Sequence, residues 1–181
     1  MAIVLEIVEL GNPVLRAKAK EVKDISDPKV QQLIDDLIFT AKQASGVGIS
    51  APQVGQSLRI FIISSYPNDR YPEAPEMIPT PIINPKIISY SDGLVKGWEG
   101  CLSIPGIRAP VLRHRSVKVK YFDREGNELE AMLEDFIARI FQHEFDHIEG
   151  IVFLDRLEDN FEVITEKEYF KLFNENENKD E

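Results

Sequence analysis

The residues best able to carry chemistry lie near position 145, where two histidines are separated by three residues. His143 and His147 are about one helical turn apart, so on a helix their imidazoles lie on one face and can bind one metal ion. Glu144 lies beside them, where its carboxylate can accept a proton from a water on the metal. Both histidines also fall on the apolar stripe of the predicted helix, so they should point into the protein, where unpaired imidazoles are costly. The pattern therefore predicts a catalytic metal site.

A catalytic metal needs a third protein ligand and an open position, and two kinds of residue are available. Cys101, the only cysteine, lies in the glycine-rich segment 97–106, which we expect to be a loop. A single cysteine excludes an intramolecular disulfide, and in a loop it is more often a small buried apolar residue than a ligand. The acids downstream of the histidines are the other candidates: Asp155, Glu158 and Asp159. The spacing alone leaves this choice open.

A third segment, 46–55, places glycines and other small residues between a predicted helix and a predicted strand. Small residues let a ligand approach the backbone closely, so this segment is a candidate wall of a substrate site. A phosphate-binding loop is a weak interpretation because the Gly-x-x-x-x-Gly-Lys arrangement is absent. A plain connecting turn is the alternative.

Two long helices and a short one should position these residues. Residues 28–44 have helical apolar spacing with Asp27 as N-cap, and their apolar face holds no catalytic residue types, so this helix belongs to the core. A second helix, from 134 or 135 to 149, carries the two histidines and ends at Gly150. A capping-box pattern starts a last helix at Thr165.

Short antiparallel strands complete an α+β fold. The predicted strands are 58–64, 82–83, 86–90, 116–122 and 127–133, the last two joined by a tight turn at 123–127. The proline-rich stretch 66–81 is expected to be a long surface loop.

The composition is that of one globular domain. The chain has 181 residues and a net charge of −10, from 21 basic and 31 acidic residues. We expect a single catalytic domain over 1–173 and a disordered acidic tail over 174–181. No apolar run reaches the ~18–20 residues of a membrane span, and the N-terminus lacks the features of a secretory signal. We therefore expect a cytoplasmic protein without a membrane partner.

The negative charge also argues against a specific nucleic-acid partner, because phosphate backbones repel such a chain. The basic residues that do cluster are Arg108, Arg113, His114, Arg115, Lys118 and Lys120. We interpret them mainly as the solvated face of a strand.

Three segments together resemble the peptide deformylases: GVGISAPQ at 46–53, EGCLS at 99–103 and HEFDH at 143–147. Their order and spacing suit that family, and the resemblance spans most of residues 10–157. It implies an α+β domain in which antiparallel sheets surround a central helix carrying the HExxH motif. It also implies an enzyme that removes the N-formyl group from the initiator methionine of nascent polypeptides and releases formate. One motif position differs, since Ser50 stands where the family commonly has alanine.

The resemblance assigns roles to the chemistry-bearing residues. Cys101, His143 and His147 would bind one divalent metal ion, natively Fe²⁺, with Zn²⁺, Ni²⁺ or Co²⁺ as replacements. Water would take the fourth position and act as the nucleophile. Glu144 would be the general base that later returns the proton to the leaving amine.

The same resemblance implies the substrate contacts. The side-chain amide of Gln53 and the backbone N–H of Leu102 would donate to the formyl oxygen, and Gly48 would pair with the peptide backbone as in strand addition. The methionine side chain would enter an apolar pocket with Ile49, Ile104, Phe136, Ile140 and His143 as candidate walls. The predicted substrate-binding residues are Val47, Gly48, Ile49, Glu99, Gly100 and Arg108. The expected partner is the N-formylmethionyl peptide, and transient contact with the ribosome stays open.

Two other functions are alternatives to removal of the N-formyl group. A metallopeptidase using HEFDH and a downstream carboxylate would cleave internal peptide bonds and would not need Cys101. A protein with a structural metal would have a closed site of four protein ligands and no exchangeable water.

Overall fold

The protein is described here by a computed structural model, which covers residues 1–68 and 70–177, with the backbone alone for 173–177. Within this part of the chain, two antiparallel sheets and three α-helices form the fold. The helices are α1 (Pro28–Gln43), α2 (Asp135–Ile148) and α3 (Glu166–Glu177). The strands are β1 (Gly48–Ser50), β2 (Ile60–Ile63), β3 (Thr80–Tyr90), β4 (Leu94–Cys101), β5 (Ile104–His114), β6 (Ser116–Phe122), β7 (Glu128–Glu134) and β8 (Ile164–Thr165).

Each of the two sheets has an edge strand that flanks the candidate site. The larger sheet has the order β1-β2-β3-β6-β7, and the smaller one has the order β4-β5-β8. Strands β1 and β4 are therefore edge strands, each with one side that makes no ladder hydrogen bonds within its own sheet. The candidate site lies between these two edges.

Helix α2 is the central element of the fold. It packs against β1, β2, β6 and β7 of the larger sheet and against β5 of the smaller one. Its apolar side enters the main core, where the rings of Phe61 and Phe141 meet edge to face at 5.2 Å. Gly150 follows with φ +78°, a left-handed conformation that ends the helix as predicted. The expected α+β architecture around a central helix is confirmed.

Helix α1 also follows its sequence signals. The Asp27 side chain accepts a hydrogen bond from the backbone N–H of Lys29 at 2.8 Å, which caps the first turn. Ile34, Leu37 and Ala41 are fully buried in a second apolar cluster against β1 and β2. This helix supports the back of the larger sheet and contributes no residue to the site.

The longest hairpin of the smaller sheet was not predicted. Segment 97–106, which we expected to be a loop, forms the end of β4, a tight turn and the start of β5. Glycines and a proline weaken the strand pattern here, and only pairing such as Trp98 with Pro110 makes the segment extended. Gly97 allows that pairing to coexist with the helix, since a Cβ there would lie 2.9 Å from the Arg139 guanidinium.

The interpretation of the basic cluster as a solvated face is wrong for two of its members. Arg108 and Arg113 lie on β5 and are only 1% and 5% exposed; Arg108 pairs with the partly buried Glu166, and Arg113 pairs with the buried Glu99. Lys118 and Lys120 do lie on the outer face of β6, where cross-strand glutamates of β7 pair with them. Alternation along one strand predicted the lysines, whereas the acids that bury the arginines come from distant segments.

Two elements have bounds that differ from the predicted ones. The two short strands predicted at 82–83 and 86–90 form the single strand β3, which is interrupted at Asn84 by a left-handed residue with φ +48°. Helix α3 runs to Glu177 and so includes the first residues of the segment 174–181 that we expected to be disordered. The rest of that segment, 178–181, lies outside the described residues.

The stretch between β2 and β3 contains no helix or ladder strand among its described residues, as expected for a long loop. It is not entirely at the surface, because Ala74 is buried and Tyr71 packs on Phe136 with ring centroids 5.2 Å apart. None of the described helices is long and apolar enough to cross a membrane.

Candidate metal centre

Three side chains that can bind a metal meet at the end of β4 and on the inner face of α2. Cys101, His143 and His147 are all buried, and one donor atom from each lies within 4.8 Å of the others. The Cys101 Sγ lies 3.2 Å from the His147 Nε2, and the two imidazole centroids are 5.1 Å apart. A thiolate and two neutral imidazoles are a common donor set for one divalent transition metal with an open position.

The downstream acids that were the alternative third ligands have other partners. Asp155 accepts from Arg16 and from a backbone N–H, which holds the turn after α2. Glu158 lies near Lys96, and Asp159 caps a short 3₁₀ turn. Among the described residues, only the cysteine joins the histidine pair. The geometry therefore favours Cys101 as the third ligand.

The His143 ring is oriented by Glu99, a role that the sequence did not suggest for this residue. The Glu99 carboxylate lies 2.9 Å from the His143 Nδ1, which leaves Nε2 as the nitrogen available to a metal. The same carboxylate accepts from Arg113 at 2.9 and 3.0 Å and from Arg139 at 2.8 Å. Metal-binding histidines commonly have such a carboxylate behind the ring, which fixes the tautomer and direction of the imidazole.

A chain of buried ion pairs continues behind this carboxylate. Arg113 donates to Asp146 at 2.5 Å, and Asp146 also accepts from Arg156 at 2.6 Å. Asp146 lies on α2 between the two histidines, so the network ties the helix to β4 and β5. Burial lowers the pKa of Arg113, but its two acidic partners outweigh this effect and raise it, so the guanidinium stays charged.

Burial and neighbouring charges set the protonation of the site. Burial lowers the pKa of His147, and the charges on His143 and Arg113 lower it further, so this imidazole is neutral as a ligand must be. Burial also lowers the pKa of His143, but hydrogen bonds to Cys101 and Glu99 raise it well above the ordinary value. The groups that favour a proton on this ring would equally favour a metal cation beside it.

Glu144 lies next to the ligands on α2, is 4% exposed and has one carboxylate oxygen, Oε2, without a hydrogen-bond partner among the described residues. Burial raises the pKa of Glu144 to about 7. A buried carboxylate with an open oxygen can exchange a proton with a reacting group near neutral pH. Gly48 makes room for it, because a Cβ there would lie 2.6 Å from the Glu144 Oε1.

The Gln53 side chain points toward the donor atoms and is held in one orientation. Its Oε1 accepts from the Ser50 backbone N–H at 2.9 Å and from the Ser50 hydroxyl at 3.1 Å. Its Nε2 is therefore directed away from Ser50 and lies 3.4 Å from the Cys101 Sγ. Leu102 follows the cysteine directly and also lines the cleft described below. The buried Ser50 hydroxyl therefore has a hydrogen-bond partner, the Gln53 Oε1.

A cleft of about 540 Å³ opens onto these groups between the edges of the two sheets. Predicted site residues that line it are Val47, Gly48, Gln53, Glu99, Gly100, Cys101, Leu102, Phe136, Ile140, His143 and Glu144. Ile49 and Ile104 do not line it, since Ile49 is fully buried in the core behind β1 and Ile104 packs in a cluster of the smaller sheet. They are therefore removed from the candidate walls of the cleft.

Arg108, predicted to hold the peptide, lies beside the cleft and not in its lining. Its guanidinium donates to Glu166 at 2.8 Å and to the Tyr71 hydroxyl at 2.9 Å. It also packs against Gly100, where a Cβ would lie 2.8 Å from its Nε. The geometry favours a supporting position behind the end of β4.

The lining of the cleft includes five side chains that were not predicted from the sequence: Ser45, Arg70, Tyr71, Trp98 and Arg139. Arg139 precedes the HExxH motif by one helical turn, so its side of the helix could have been inferred from the spacing. Arg70 and Tyr71 come from the long loop, and nothing in local sequence predicts where a loop of that length folds back.

Comparisons with known proteins agree with this geometry. Residues 4–162 match the profile of the polypeptide deformylase family. The chain is 58% identical over 172 residues to peptide deformylase 2 of Nostoc sp. (strain PCC 7120), covering 95% of this chain and 96% of that one. It also superposes on the Met-Ala-Ser-bound class I type b peptide deformylase from Acinetobacter baumannii with a TM-score of 0.85. That pair shares 42% identity and covers 87% of this chain and all of that one.

A more distant structure gives the same result. The peptide deformylase from Thermotoga maritima superposes with a TM-score of 0.78 at 36% identity, covering 87% of this chain and 99% of that one. The profile match over residues 4–162 includes every residue of the candidate site, and the three relatives each cover 87% or more of the chain. The chain therefore belongs to the polypeptide deformylase family, and it is a metal-dependent hydrolase that removes the N-formyl group from nascent polypeptides.

Proposed function

We propose that Cys101, His143 and His147 hold one divalent metal ion, and that Glu144 and Gln53 act on the formyl group of an N-formylmethionyl peptide bound in the cleft. The observation that carries the proposal is the convergence of these five side chains, from β4, α2 and the turn after β1, at one end of a single cleft. A metal bound there would supply a Lewis acid that polarises the formyl carbonyl and makes water nucleophilic at neutral pH.

The metal that we propose for the cell is Fe²⁺, with Zn²⁺, Ni²⁺ or Co²⁺ as functional replacements. A sulfur and two imidazole nitrogens suit all four ions, so the donor set does not select one of them. The choice of Fe²⁺ therefore rests on the family resemblance. A site that contains a thiolate needs a reduced Cys101, which fits a cytoplasmic location.

The donors for the developing oxyanion are the Gln53 amide and the Leu102 backbone N–H. Ser50 fixes the amide so that Nε2, and not Oε1, faces the site. Preorganised donors of this kind stabilise the transition state because they need no reorientation as negative charge develops. Loss of one such donor typically costs about 3–4 kcal/mol of transition-state stabilisation.

Glu144 serves as the proton carrier. Its unpaired Oε2 takes a proton from the attacking water as the new bond to the carbonyl carbon forms. The carboxyl group then gives that proton to the leaving amine as the C–N bond breaks. Formate and a peptide with a free amino terminus are the products. Burial raises the pKa of Glu144 to about 7, so this carboxylate can both accept and release a proton near neutral pH.

The peptide backbone is proposed to lie between the two sheet edges as an added strand. Val47 and Gly48 at the edge β1 offer backbone groups on one side, and Glu99 and Gly100 at the end of β4 offer them on the other. The methionine side chain would lie against the apolar side chains on α2 that line the cleft, Phe136 and Ile140. Because the substrate is a nascent chain, a transient contact with the ribosome is part of this proposal.

The proposal is tested by formate release from formyl-Met-Ala-Ser, with protein purified without oxygen and with its metal content measured in the same sample. We expect formate release with about one metal per chain. Met-Ala-Ser and a longer peptide with internal bonds are the matched controls, and neither should be cleaved. Cleavage of internal bonds without formate release would instead support the metallopeptidase.

Two variants separate metal binding from catalysis. Cys101→Ala should lose the metal and the activity together, whereas Glu144→Gln should keep the metal and lose turnover by about 10²–10⁴-fold. Full activity of Cys101→Ala would contradict the proposed ligand set. A metal-loaded wild-type protein that releases no formate would contradict the proposed function.

A further inference from the structure

The loop between β2 and β3 brings a cation to the outer part of the cleft. Arg70 lines the cleft and also a smaller neighbouring pocket of about 290 Å³. The two spaces share the wall formed by residues 100–102, and the smaller one continues to Arg108 and Glu166. Arg70 therefore stands at the passage between them.

The backbone that carries this arginine is well anchored. The Asn68 side chain accepts from the backbone N–H groups of Arg70 and Tyr71 at 2.9 and 3.1 Å. The Tyr71 ring then packs on Phe136 of α2, and its hydroxyl accepts from Arg108. These contacts hold the start of the Arg70 side chain at a defined place on the rim.

The Arg70 guanidinium has unused hydrogen-bonding capacity. Its one ion-pair contact among the described residues joins its Nε to the Glu166 Oε1 at the long distance of 3.4 Å. That oxygen already accepts from Arg108 at 2.8 and 3.3 Å. Two guanidinium groups thus share one carboxylate, so these three groups together carry one net positive charge.

The other arginine in the cleft lining has no comparable freedom. The Arg139 guanidinium donates to the Glu99 carboxylate and to the backbone carbonyls of Val95, Gly97 and Val111. The Arg70 side chain is 36% exposed, and its terminal nitrogens have no hydrogen-bond partner among the described residues. An anion that enters the cleft from solution would therefore meet Arg70.

We propose that Arg70 is a specificity-determining residue that favours substrates with Asp or Glu at one of the first two positions after the formylmethionine. This inference rests on the proposed function, in which the methionine side chain lies at Phe136 and Ile140. An extended peptide advances about 3.3 Å per residue, so its next side chains pass the outer cleft wall within the length of an arginine side chain. A carboxylate there would pair with the two terminal nitrogens of the guanidinium.

The test compares kcat/KM for formyl-Met-Glu-Ser against formyl-Met-Gln-Ser, and for formyl-Met-Ala-Glu against formyl-Met-Ala-Gln. A partly exposed ion pair is expected to favour the acidic peptide about two- to fivefold in at least one of the two series. In Arg70→Gln that ratio should fall to about one, and in Arg70→Glu it should fall below one. Because each ratio is taken within one variant, a general loss of folding or activity cancels.

Arg124→Gln is the matched control. Arg124 is similarly exposed, at 34%, and pairs with Asp35 far from the cleft, so its removal changes the net charge equally and should keep the wild-type ratio. Ratios near one in both wild-type series, or a preference that persists in Arg70→Gln, would overturn the proposal.

A binding measurement separates this proposal from the proposed function. Calorimetry with the products Met-Glu-Ser and Met-Ala-Glu against their glutamine counterparts, on the metal-loaded protein, reports charge preference without turnover. Tighter binding of an acidic product that disappears in Arg70→Gln supports the role of Arg70 even if formate release fails. Equal binding of acidic and neutral products in both series would refute it while leaving deformylase activity intact.

Discussion

The Glu99 carboxylate links the candidate metal site to the ion pairs of the core, so Glu99→Gln should change both metal affinity and stability. This carboxylate is 3% exposed and accepts hydrogen bonds from His143, Arg113 and Arg139. The substitution keeps the shape of the side chain but removes the charge and turns one acceptor into a donor that faces an arginine.

The stability effect follows from burial. Removing one partner of a buried ion pair costs about 3–5 kcal/mol because the remaining charge stays buried. Arg113 would keep its contact to Asp146, so we expect a loss near 3 kcal/mol in the free energy of unfolding. Urea unfolding of the metal-loaded protein, followed by circular dichroism, measures it.

The metal effect follows from the orientation of the His143 ring. Loss of the group behind a metal-binding histidine typically weakens metal affinity or activity about 10–100-fold. Competition with a chelator of known affinity measures this directly. Glu149→Gln is the control, because Glu149 also pairs with an arginine but follows the last residue of α2 and does not line the cleft. A Glu99→Gln protein that loses stability but binds metal as tightly as the wild type would refute the orienting role.

Three further outcomes are expected. Gly48→Ala should lower kcat/KM for formyl-Met-Ala-Ser at least tenfold, because the new Cβ would lie 2.6 Å from the Glu144 Oε1 and displace the carboxylate. Activity close to wild type would show that the Glu144 carboxylate can move without loss of catalysis. Ser50→Ala should lower kcat about two- to fivefold with little change in KM, because one of the two hydrogen bonds that orient Gln53 is lost, and steady-state kinetics on formyl-Met-Ala-Ser would test this. Burial raises the pKa of Glu149, but its pairs with Lys18 and Arg59 outweigh this effect and lower the pKa. The stabilising contribution of the charged Glu149 carboxylate is therefore present at neutral pH, and it is lost as the pH falls through the folded-state pKa. The difference in unfolding free energy between wild type and Glu149→Gln should therefore shrink below about pH 4, and a difference that grows toward low pH would contradict this assignment.

Local patterns predicted the elements whose geometry depends on neighbouring residues. The cap at Asp27 and the stop at Gly150 determine where two helices begin or end, and the alternation along 116–122 matches β6. The β4–β5 hairpin was missed because its glycines and prolines weaken the strand signal, and its extended form comes from pairing between segments.

The same distinction applies to the site. The residue types and the motif resemblance predicted Cys101, His143, His147, Glu144 and Gln53 as site residues, and the structure places them together. Ile49 and Ile104 were candidate walls of the cleft on the family resemblance, but both side chains pack in apolar clusters of the core. The roles of Glu99 and Arg70 could not be inferred because each depends on partners from distant elements.

The sequence by itself determined that two imidazoles and a carboxylate lie together, because helix geometry places residues four apart on one face. The periodicity also predicted the α+β class, and the motif resemblance implied that the histidine helix lies at its centre. The spacing of residues left the third member of the cluster open and the motif resemblance pointed to Cys101, but only the tertiary structure brings Cys101 to the two histidines. Cys101 lies 46 residues before His147, and pairing between β4 and β5 together with the packing of α2 brings its sulfur to within 3.2 Å of that ring. Long-range register and packing depend on the whole chain at once, so no local pattern contains them.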